Sequence, residues 1–578
     1  MHDLVITGAT IVDGTGAPGR LADVAVAGDR IVDIGSNLGA AKQKIDADGL
    51  LVTPGWVDIH THYDGQATWD PDLAPSSTNG VTSILIGNCG VGFAPAKADK
   101  HNWLISLLEG VEDIPGTALA EGMTWGWETF PEYLDVLDRM RWTLDIGTQV
   151  PHAALRTYVM GERGADATQR ASGDEIEAMR RHCEASIRAG AMGFTTSRTW
   201  VHRTSAGEQI GTLNADAEEV LGIIAGLNAA GTGVVQLISD AYQSDDNDLV
   251  ASELALLERI ALGAKVPLSF TVQQNDKTPN RFRELLRAIG RWRSLGANAK
   301  AQVASRPIGV LIGLDASTSP FVFCPTYRSK LRPLPRAERV AAMRQPDVRA
   351  QILQEHAAAK VRDFPALIHS GYARMYPLTE PIDYEPTPER SVAGIASAMN
   401  RPASEVLYDQ LLADDGRALL YIPLMNYAGG SLDDVYEMMT SPNSIIGLSD
   451  AGAHCNAISD GSMSTTAITH WTRDRTRGPK LSIEQVVHNQ TQSTAQHVGW
   501  LDRGVIAPGY LADINIIDMS TLNAKAPRIV ADLPGGGTRL VQDATGYRAT
   551  FKSGVMTVHD GELTGAHPGT LQRGPKRV

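Results

Sequence analysis

The chain has 578 residues, of which 43% are hydrophobic and 20% are charged, and its formal net charge at pH 7 is −14. Its length exceeds that of one ordinary domain, and its composition is globular, which excludes disordered and fibrous proteins. The acidic balance argues against nucleic acid or an anionic membrane as the main partner, because both carry negative charge.

The cysteine content and the N-terminal residues indicate which cellular compartment to expect. Four cysteines spread over the whole length form no disulfide framework, which favours a reducing compartment. No basic segment followed by an apolar run opens the chain, and no stretch approaches the roughly 20 apolar residues of a membrane span. We therefore expect a cytoplasmic protein with a small-molecule substrate, and the sequence leaves open whether it forms a homo-oligomer.

Both ends of the chain have a β-rich pattern. Residues 3–50 contain short alternating runs separated by Asp-Gly and Gly-Asp pairs, which are typical of hairpins. Alternation returns after residue 502 and again at 547–564. This pattern predicts a small β-sandwich domain composed of residues 1–54 and 500–578.

The middle of the chain alternates short apolar runs with Ala-, Leu-, Glu- and Arg-rich segments, which indicates βα units around a parallel sheet. The number of candidate strands predicts an α/β fold with a TIM-like (β/α)8 barrel over residues 55–499. A long connection before the seventh candidate predicts a partly helical insertion near residues 300–360. The eight candidate strands end near residues 59, 87, 147, 195, 238, 272, 368 and 448.

The first candidate strand carries a pair of histidines. Pro54 and Gly55 interrupt the preceding run, and an apolar strand then ends in His60 and His62. Side chains two residues apart on a strand project from the same face, so both imidazoles can reach one metal ion. The alternative is that one histidine packs in the core while the other is solvated. An apolar strand that ends in His-x-His favours the metal pair.

Two further candidate strands are followed by residues that can bind a metal ion. Cys89 lies in a Gly-Asn-Cys-Gly segment after the second candidate strand, and Asp450 follows the eighth. A thiolate and a carboxylate complete a good ligand set for zinc beside the two imidazoles. The alternatives are an inert buried cysteine and a helix N-cap aspartate. In the metal-binding interpretation, Asp450 also takes the proton from the attacking water.

Other polar residues near strand ends are candidates for substrate contacts. Arg198, His202 and Arg203 follow the fourth candidate strand, where the arginines could bind a carboxylate. A solvated loop explains them equally well. His152 follows the third strand, and His369 ends the seventh candidate as a core or substrate-contacting histidine.

Together these motifs resemble the amidohydrolase superfamily, and in particular its D-aminoacylase (N-acyl-D-amino-acid deacylase) family. The resemblance covers nearly the whole chain, and the cysteine in Gly-Asn-Cys-Gly is its most specific mark. It is carried by His60-Thr61-His62, by the segment around Cys89, by residues 152–161 and by residues 502–513.

The resemblance implies a metal centre with six ligands, of which four match this chain. The family also has histidines after strands five and six, where this chain has Gln236 to Asp240 and Gln273 with Gln274. Because glutamine is a poor zinc ligand, we predict one zinc ion per chain, and the sequence leaves a second ion open. The matching ligands are His60, His62, Cys89 and Asp450.

The resemblance also implies the reaction, which is hydrolysis of the amide bond of N-acyl amino acids by a metal-activated water. The D-configuration of the substrate rests on the resemblance alone. One alternative is an amidohydrolase that acts on a cyclic amide or another C–N bond, since the superfamily is chemically broad. An alternative of another class is a non-catalytic barrel that binds a small molecule.

Overall fold

The computed structural model describes residues 1–578 as an α/β fold. Its helices follow the parallel strands or lie in an insertion, and none of them combines the length and hydrophobicity needed to cross a bilayer. The α-helices are His101–Glu112, Gly116–Gly122, Phe130–Asp138, His152–Met160, Glu162–Ala165, Gly173–Ala189, Ala217–Ala230, Asn247–Gly263, Arg281–Ser294, Arg336–Met343, Pro346–Ala358, Asp363–Ser370, Val392–Met399, Ala403–Gly416, Asp433–Thr440, Met463–Ile468, Ile483–Gln490 and Gln492–His497.

The two ends of the chain build one nine-stranded sheet. Leu51–Pro54 joins the two halves, because it pairs in parallel with His2–Ile11 and antiparallel with Ile514–Ile517. Alternate side chains of these strands are buried in a common apolar core. The strands are His2–Ile11, Arg20–Ala27, Arg30–Gly35, Ala41–Asp46, Leu51–Pro54, Ile514–Ile517, Tyr547–Lys552, Val555–His559 and Glu562–Leu563.

Parallel strands occupy the middle of the chain in two groups of three and six. Gln149 alone separates the last strand of the first group from Val150–Pro151, which starts the second. A parallel bridge from Thr61 to Ala451 joins the segment after the first strand to the segment after the last. The strands are Trp56–Asp58, Val81–Ile86, Asp145–Thr148 with Val150–Pro151, Gly193–Arg198, Val234–Ser239, Leu268–Thr271, Ala299–Val303 and Ser444–Ile446.

The predicted seventh strand at residues 365–369 is wrong, because this run lies in the helix Asp363–Ser370. The seventh parallel strand is Ala299–Val303, which pairs with Leu268–Thr271 on one side and Ser444–Ile446 on the other. A short apolar run has too few residues for its periodicity to separate a strand from a buried helix segment.

The insertion is consequently longer than the predicted segment near 300–360, since it connects the seventh and eighth strands over residues 304–443. It has its own sheet and its own apolar core. The sheet strands are Ile308–Ile312, Tyr376–Pro377 and Leu420–Met425. Two short antiparallel strand pairs follow near the C-terminus, Asn523–Ala524 with Ala544–Thr545 and Arg528–Leu533 with Gly537–Val541. The division into domains at residues 54 and 500 stays a prediction.

A buried ion network joins the terminal sheet to the parallel strands. The Lys552 ammonium lies 2.8 Å from Asp513, which directly precedes the strand Ile514–Ile517, and 2.8 Å from Asp145 in the third parallel strand. Arg503 also donates to Asp145, at 2.7 Å. All four side chains are almost completely buried. Because an unpaired buried charge is costly, the network fixes how these two parts of the fold meet.

We expect Lys552→Ala to lower the free energy of unfolding by about 3–5 kcal/mol, since it leaves Asp513 buried without its cation. Arg548→Ala is the matched control, because Arg548 lies on the same strand but forms an exposed pair with Asp560. Its loss should stay within about 1 kcal/mol. Denaturant and thermal unfolding measure both variants, and equal losses would contradict a special role for the buried network.

Candidate functional site

The two predicted histidines meet one carboxylate oxygen at the end of the first parallel strand. His60 and His62 are buried, with ring centroids 5.3 Å apart. The Oδ1 atom of Asp450 lies 3.1 Å from His60 Nε2 and 3.6 Å from His62 Nε2. The Asp450 side chain is 19% exposed, whereas those of the histidines are 1% and 2% exposed. Asp450 is therefore the member of this group that water can reach.

Cys89 completes the group from the second strand. Its Sγ atom lies 3.3 Å from His60 Nε2. The ligand atoms of Cys89, His60 and His62 all lie within 4.8 Å of one another. Cys89 and Asp450 both have left-handed backbones, with φ of 53° and 46°, a conformation that is uncommon outside glycine. Such strain concentrates at functional sites.

Backbone and side-chain bonds hold these segments together. The Asp450 amide donates to the His60 carbonyl at 3.2 Å, and the His62 amide donates to the Ala451 carbonyl at 2.8 Å. Ser449 Oγ donates to Asp58 at 2.5 Å, and the other oxygen of Asp58 accepts the His60 amide at 3.1 Å. These contacts bring residues nearly 400 positions apart into one rigid site.

The outer ring nitrogens of the histidines face different groups. Side-chain amide atoms of Gln236 and Gln302 lie 2.6 Å and 2.7 Å from His60 Nδ1. The carboxylate of Glu112 lies 3.2 Å from His62 Nδ1. Because Nδ1 of each ring faces these groups, the Nε2 atoms of both rings face Asp450. Both Nε2 atoms can therefore act as metal ligands from the same side.

The charges of the site are strongly perturbed. Burial opposes ionisation of Asp450, but the neighbouring His60 and His62 outweigh it and hold the pKa of its carboxyl well below the usual range. Burial lowers the pKa of His62 to about 4. Burial, together with nearby acidic groups, raises the pKa values of Cys89 and Glu112 well above their usual range. A cation here would favour the ionised forms of these acids.

His152 does not contribute to this group. Its ring is fully buried, and both nitrogens contact the protein, with Thr196 Oγ1 at 2.8 Å and Glu219 at 3.0 Å. Glu219 also accepts a bond from Arg156 at 2.8 Å. Both ring nitrogens of His152 therefore contact the protein, and its predicted contact with a substrate stays a prediction. Its partner Glu219 lies on a later helix that the local sequence does not reveal.

Arg198 is also committed to the protein. Its guanidinium donates to both carboxylate oxygens of Glu253, at 2.6 Å and 3.0 Å, and to the Ala215 carbonyl. Ser239 donates to the same carboxylate at 2.8 Å. Glu253 therefore neutralises the guanidinium, and the predicted contact of Arg198 with a substrate carboxylate stays a prediction.

The loop after the fourth strand places its other two candidates differently. Arg203 is exposed and donates to the Gly207 carbonyl at 3.0 Å. His202 contacts Ser197 Oγ through Nδ1 at 2.8 Å. Burial and the neighbouring His62 lower the pKa of His202 to about 3. His202 therefore lies beside the histidine pair, and Arg203 lies on the solvent side.

His369 lies in the core of the insertion, and its predicted place at the end of a parallel strand is wrong. Its ring stacks on His356 with centroids 3.9 Å apart and is close to Phe323. The error follows from the wrong seventh strand. The same error concealed Gln302, which lies on the true seventh strand.

Two buried acids near the site were not predicted. Asp64 has an unpaired oxygen, and burial raises its pKa to about 8. It lies in a turn beyond the end of the first parallel strand, so strand spacing gave no signal for it. Glu112 ends the helix His101–Glu112 and has no motif around it that would have revealed its place.

Comparison with known proteins identifies the family of the chain. The amidohydrolase family matches residues 43–564. The D-aminoacylase of Alcaligenes xylosoxydans xylosoxydans is 26% identical over 573 residues, which are 98% of this chain and 97% of the relative. The chain therefore belongs to the amidohydrolase family, and the predicted resemblance to D-aminoacylases is confirmed.

Solved structures share the fold. A D-aminoacylase described with a binuclear metal centre has a TM-score of 0.62 at 22% identity and covers both chains completely. An N-acyl-D-glutamate deacylase from Bordetella bronchiseptica, complexed with zinc and a phosphonate inhibitor, has a TM-score of 0.62 at 23% identity and covers 99% of each chain. At these identities the likeness establishes the fold alone.

We expect Arg198→Ala to lower the free energy of unfolding by about 3–5 kcal/mol, because it leaves the buried Glu253 unpaired. The double variant Arg198→Ala with Glu253→Gln should recover part of this loss, since the uncompensated charge is gone. Arg203→Ala is the control and should change stability by less than about 1 kcal/mol. Unfolding curves for the three variants test the assignment, and an unchanged midpoint in Arg198→Ala would contradict it.

Proposed function

We propose that the protein is a metal-dependent hydrolase that cleaves the amide bond of N-acyl-D-amino acids. The observation that carries the proposal is the convergence of two imidazoles, a thiol and a carboxylate at the ends of parallel strands. The similarity to D-aminoacylase over nearly the full length of both chains supports the substrate class and the reaction. The converging residues are His60, His62, Cys89 and Asp450.

We also propose that the eight parallel strands form a TIM-like (β/α)8 barrel over residues 55–499, with a β-sandwich domain from residues 1–54 and 500–578. The number of strands, the single residue between the two groups and the bridge from Thr61 to Ala451 support a closed arrangement. In such a barrel, catalytic groups lie at the C-terminal ends of the strands. The ligand candidates occupy those ends.

The donor set fits zinc, which prefers imidazole, thiolate and carboxylate ligands. His60, His62, Asp450 and Cys89 would hold the ion. A bound ion of this kind polarises a carbonyl group and lowers the pKa of water. We propose one ion per chain, because the ends of the fifth and sixth strands offer no imidazole.

Other polar residues lie at the ends of both of those strands. The fifth strand ends at Ser239, whose hydroxyl donates to Glu253 at 2.8 Å. The sixth strand ends at Thr271 and is followed by Gln273, whose buried side-chain oxygen has no partner. An amide oxygen is a weak ligand for zinc. These positions support a mononuclear centre.

Asp450 provides the proton transfer in the proposed reaction. Its lowered pKa keeps the carboxylate ionised, and its partial exposure lets water reach it. It accepts a proton from the water as the water oxygen bonds to the carbonyl carbon. It then delivers this proton to the amide nitrogen as the C–N bond breaks, which releases a carboxylic acid and an amino acid.

His202 and Arg203 are the proposed substrate contacts. His202 lies beside His62, and its Nδ1 is held by Ser197, which leaves Nε2 for a ligand. Arg203 carries an exposed guanidinium on the same loop, and no carboxylate of the protein pairs with it. It can therefore attract the free carboxylate of an N-acyl amino acid.

Turnover of a substrate panel tests the reaction. The panel contains N-acyl-D-amino acids, their L-enantiomers and cyclic amides, each assayed with zinc-loaded protein. Release of free D-amino acid supports the proposal. Preference for a cyclic amide would favour the alternative amidohydrolase reaction, and binding without turnover would favour a non-catalytic barrel.

We expect about one zinc ion per chain in protein purified without chelator, because the proposed ligands form a single metal site. The variant with His60→Ala and His62→Ala should lose the ion, because both imidazole ligands are removed. Mass spectrometry of metal content measures both proteins. Two stoichiometric ions would contradict the mononuclear centre, and full occupancy in the double variant would contradict the ligands.

We expect Asp450→Asn to fold normally and to lose activity by about 10²–10⁴-fold, the usual effect of removing a general base. Metal content is measured on the same sample, so that loss of a ligand is distinguished from loss of the base. Circular dichroism and thermal unfolding confirm the fold. Near-normal turnover by the metal-loaded variant would exclude the proposed role.

A further inference from the structure

Glu112 contacts the candidate metal site from outside its ligand group. It is the last residue of the helix His101–Glu112, and its side chain is 3% exposed. Its Oε1 atom lies 3.2 Å from His62 Nδ1. Neither atom forms a hydrogen bond in the structure, to the other or to any further group, although the two atoms are this close. The two unpaired atoms are therefore each other's nearest available partner.

A carboxylate buried in this way is costly unless it meets a donor or a cation. No arginine or lysine pairs with it, in contrast to the buried carboxylates Glu219 and Glu253. The available donor is the Nδ1–H group of His62.

We propose that Glu112 is a positioning residue that accepts a hydrogen bond from His62 Nδ1–H. This bond would hold the tautomer in which Nε2 carries the lone pair on the side of Asp450. It would also make the ring more basic, as carboxylates behind metal-bound histidines do. The inference rests on the metal site of the proposed function.

The surroundings of His60 differ in a way that makes this role specific. The outer nitrogen of His60 is contacted by the neutral amides of Gln236 and Gln302, whereas that of His62 faces a carboxylate. The Glu112 carbonyl accepts the amide of His454, in the loop after the eighth strand. Glu112 thus joins its helix to both segments that supply ligands.

The test compares zinc affinity, measured by competition with a chelator, in Glu112→Ala and Glu112→Gln. We expect Glu112→Ala to bind zinc about 10–100-fold more weakly, the usual effect of losing such a partner. Glu112→Gln keeps an acceptor without the charge and should fall between Glu112→Ala and the unmodified protein. Unchanged affinity in both variants would overturn the proposal.

Glu219→Gln is the matched control, because Glu219 is a buried carboxylate that faces His152 outside the ligand group. It should alter stability and leave zinc affinity unchanged. Thermal unfolding of each metal-free variant separates loss of fold from loss of affinity. Equal weakening in Glu112→Gln and Glu219→Gln would show a general structural effect and overturn the proposal.

A spectroscopic measurement reads the hydrogen bond directly. In the cobalt-substituted protein, the Nδ1–H proton of each coordinated histidine gives a shifted, solvent-exchangeable NMR signal. We expect Glu112→Ala to lose or rapidly exchange the signal of His62 and to keep that of His60. Retention of both signals would overturn the proposal.

Failure of the proposed reaction is distinguishable from failure of this inference. A protein that binds zinc through His60 and His62 and depends on Glu112, but hydrolyses no N-acyl amino acid, supports the positioning role. The same result contradicts the proposed substrate. A protein that hydrolyses N-acyl-D-amino acids without any dependence on Glu112 supports the reaction and overturns the positioning role.

Discussion

Two backbone hydrogen bonds between the segments that follow the first and the eighth parallel strands create the candidate site. They connect His62 to Ala451 and Asp450 to His60 across nearly 400 residues of chain. Everything the site can do depends on this contact, because it sets one carboxylate oxygen against two imidazole nitrogens. The left-handed backbone of Asp450 is held by the same contacts. A strained residue persists only where its surroundings determine its position.

The buried carboxylates at the candidate site differ from several others in the fold in the groups that they contact. Several buried carboxylates elsewhere in the fold meet arginine or lysine, as Glu253 meets Arg198 and Asp513 meets Lys552. At the candidate site, Glu112 and Asp64 are buried with no such partner. Burial raises the pKa values of both acids, and a bound cation would favour their ionised forms. This contrast supports the metal-dependent function independently of the comparisons with relatives.

Short sequence patterns predicted the elements whose structure depends mainly on neighbouring residues. Alternation with Asp-Gly turns identified the β-rich ends, and the motif around His60 placed a histidine pair at a strand end. The strand prediction at residues 365–369 failed because so short a run, largely apolar, suits a strand and a buried helix equally well. Its neighbours decided the outcome, since Ala299–Val303 has parallel partners on both sides whereas residues 365–369 pack inside the insertion. A short sequence segment cannot show which strands pair over long sequence distances.

The sequence by itself determined which residues can bind a metal, because residue type and strand spacing set which side chains can share one face. It also determined the family, since its motifs extend along the chain. Only the tertiary structure decided which polar residues are free for chemistry. Arg198 and His152 looked available until Glu253 and Glu219, from later helices, were found against them. The charge and hydrogen-bonding capacity of a side chain are shared with its nearest partners in space, and folding alone selects those partners.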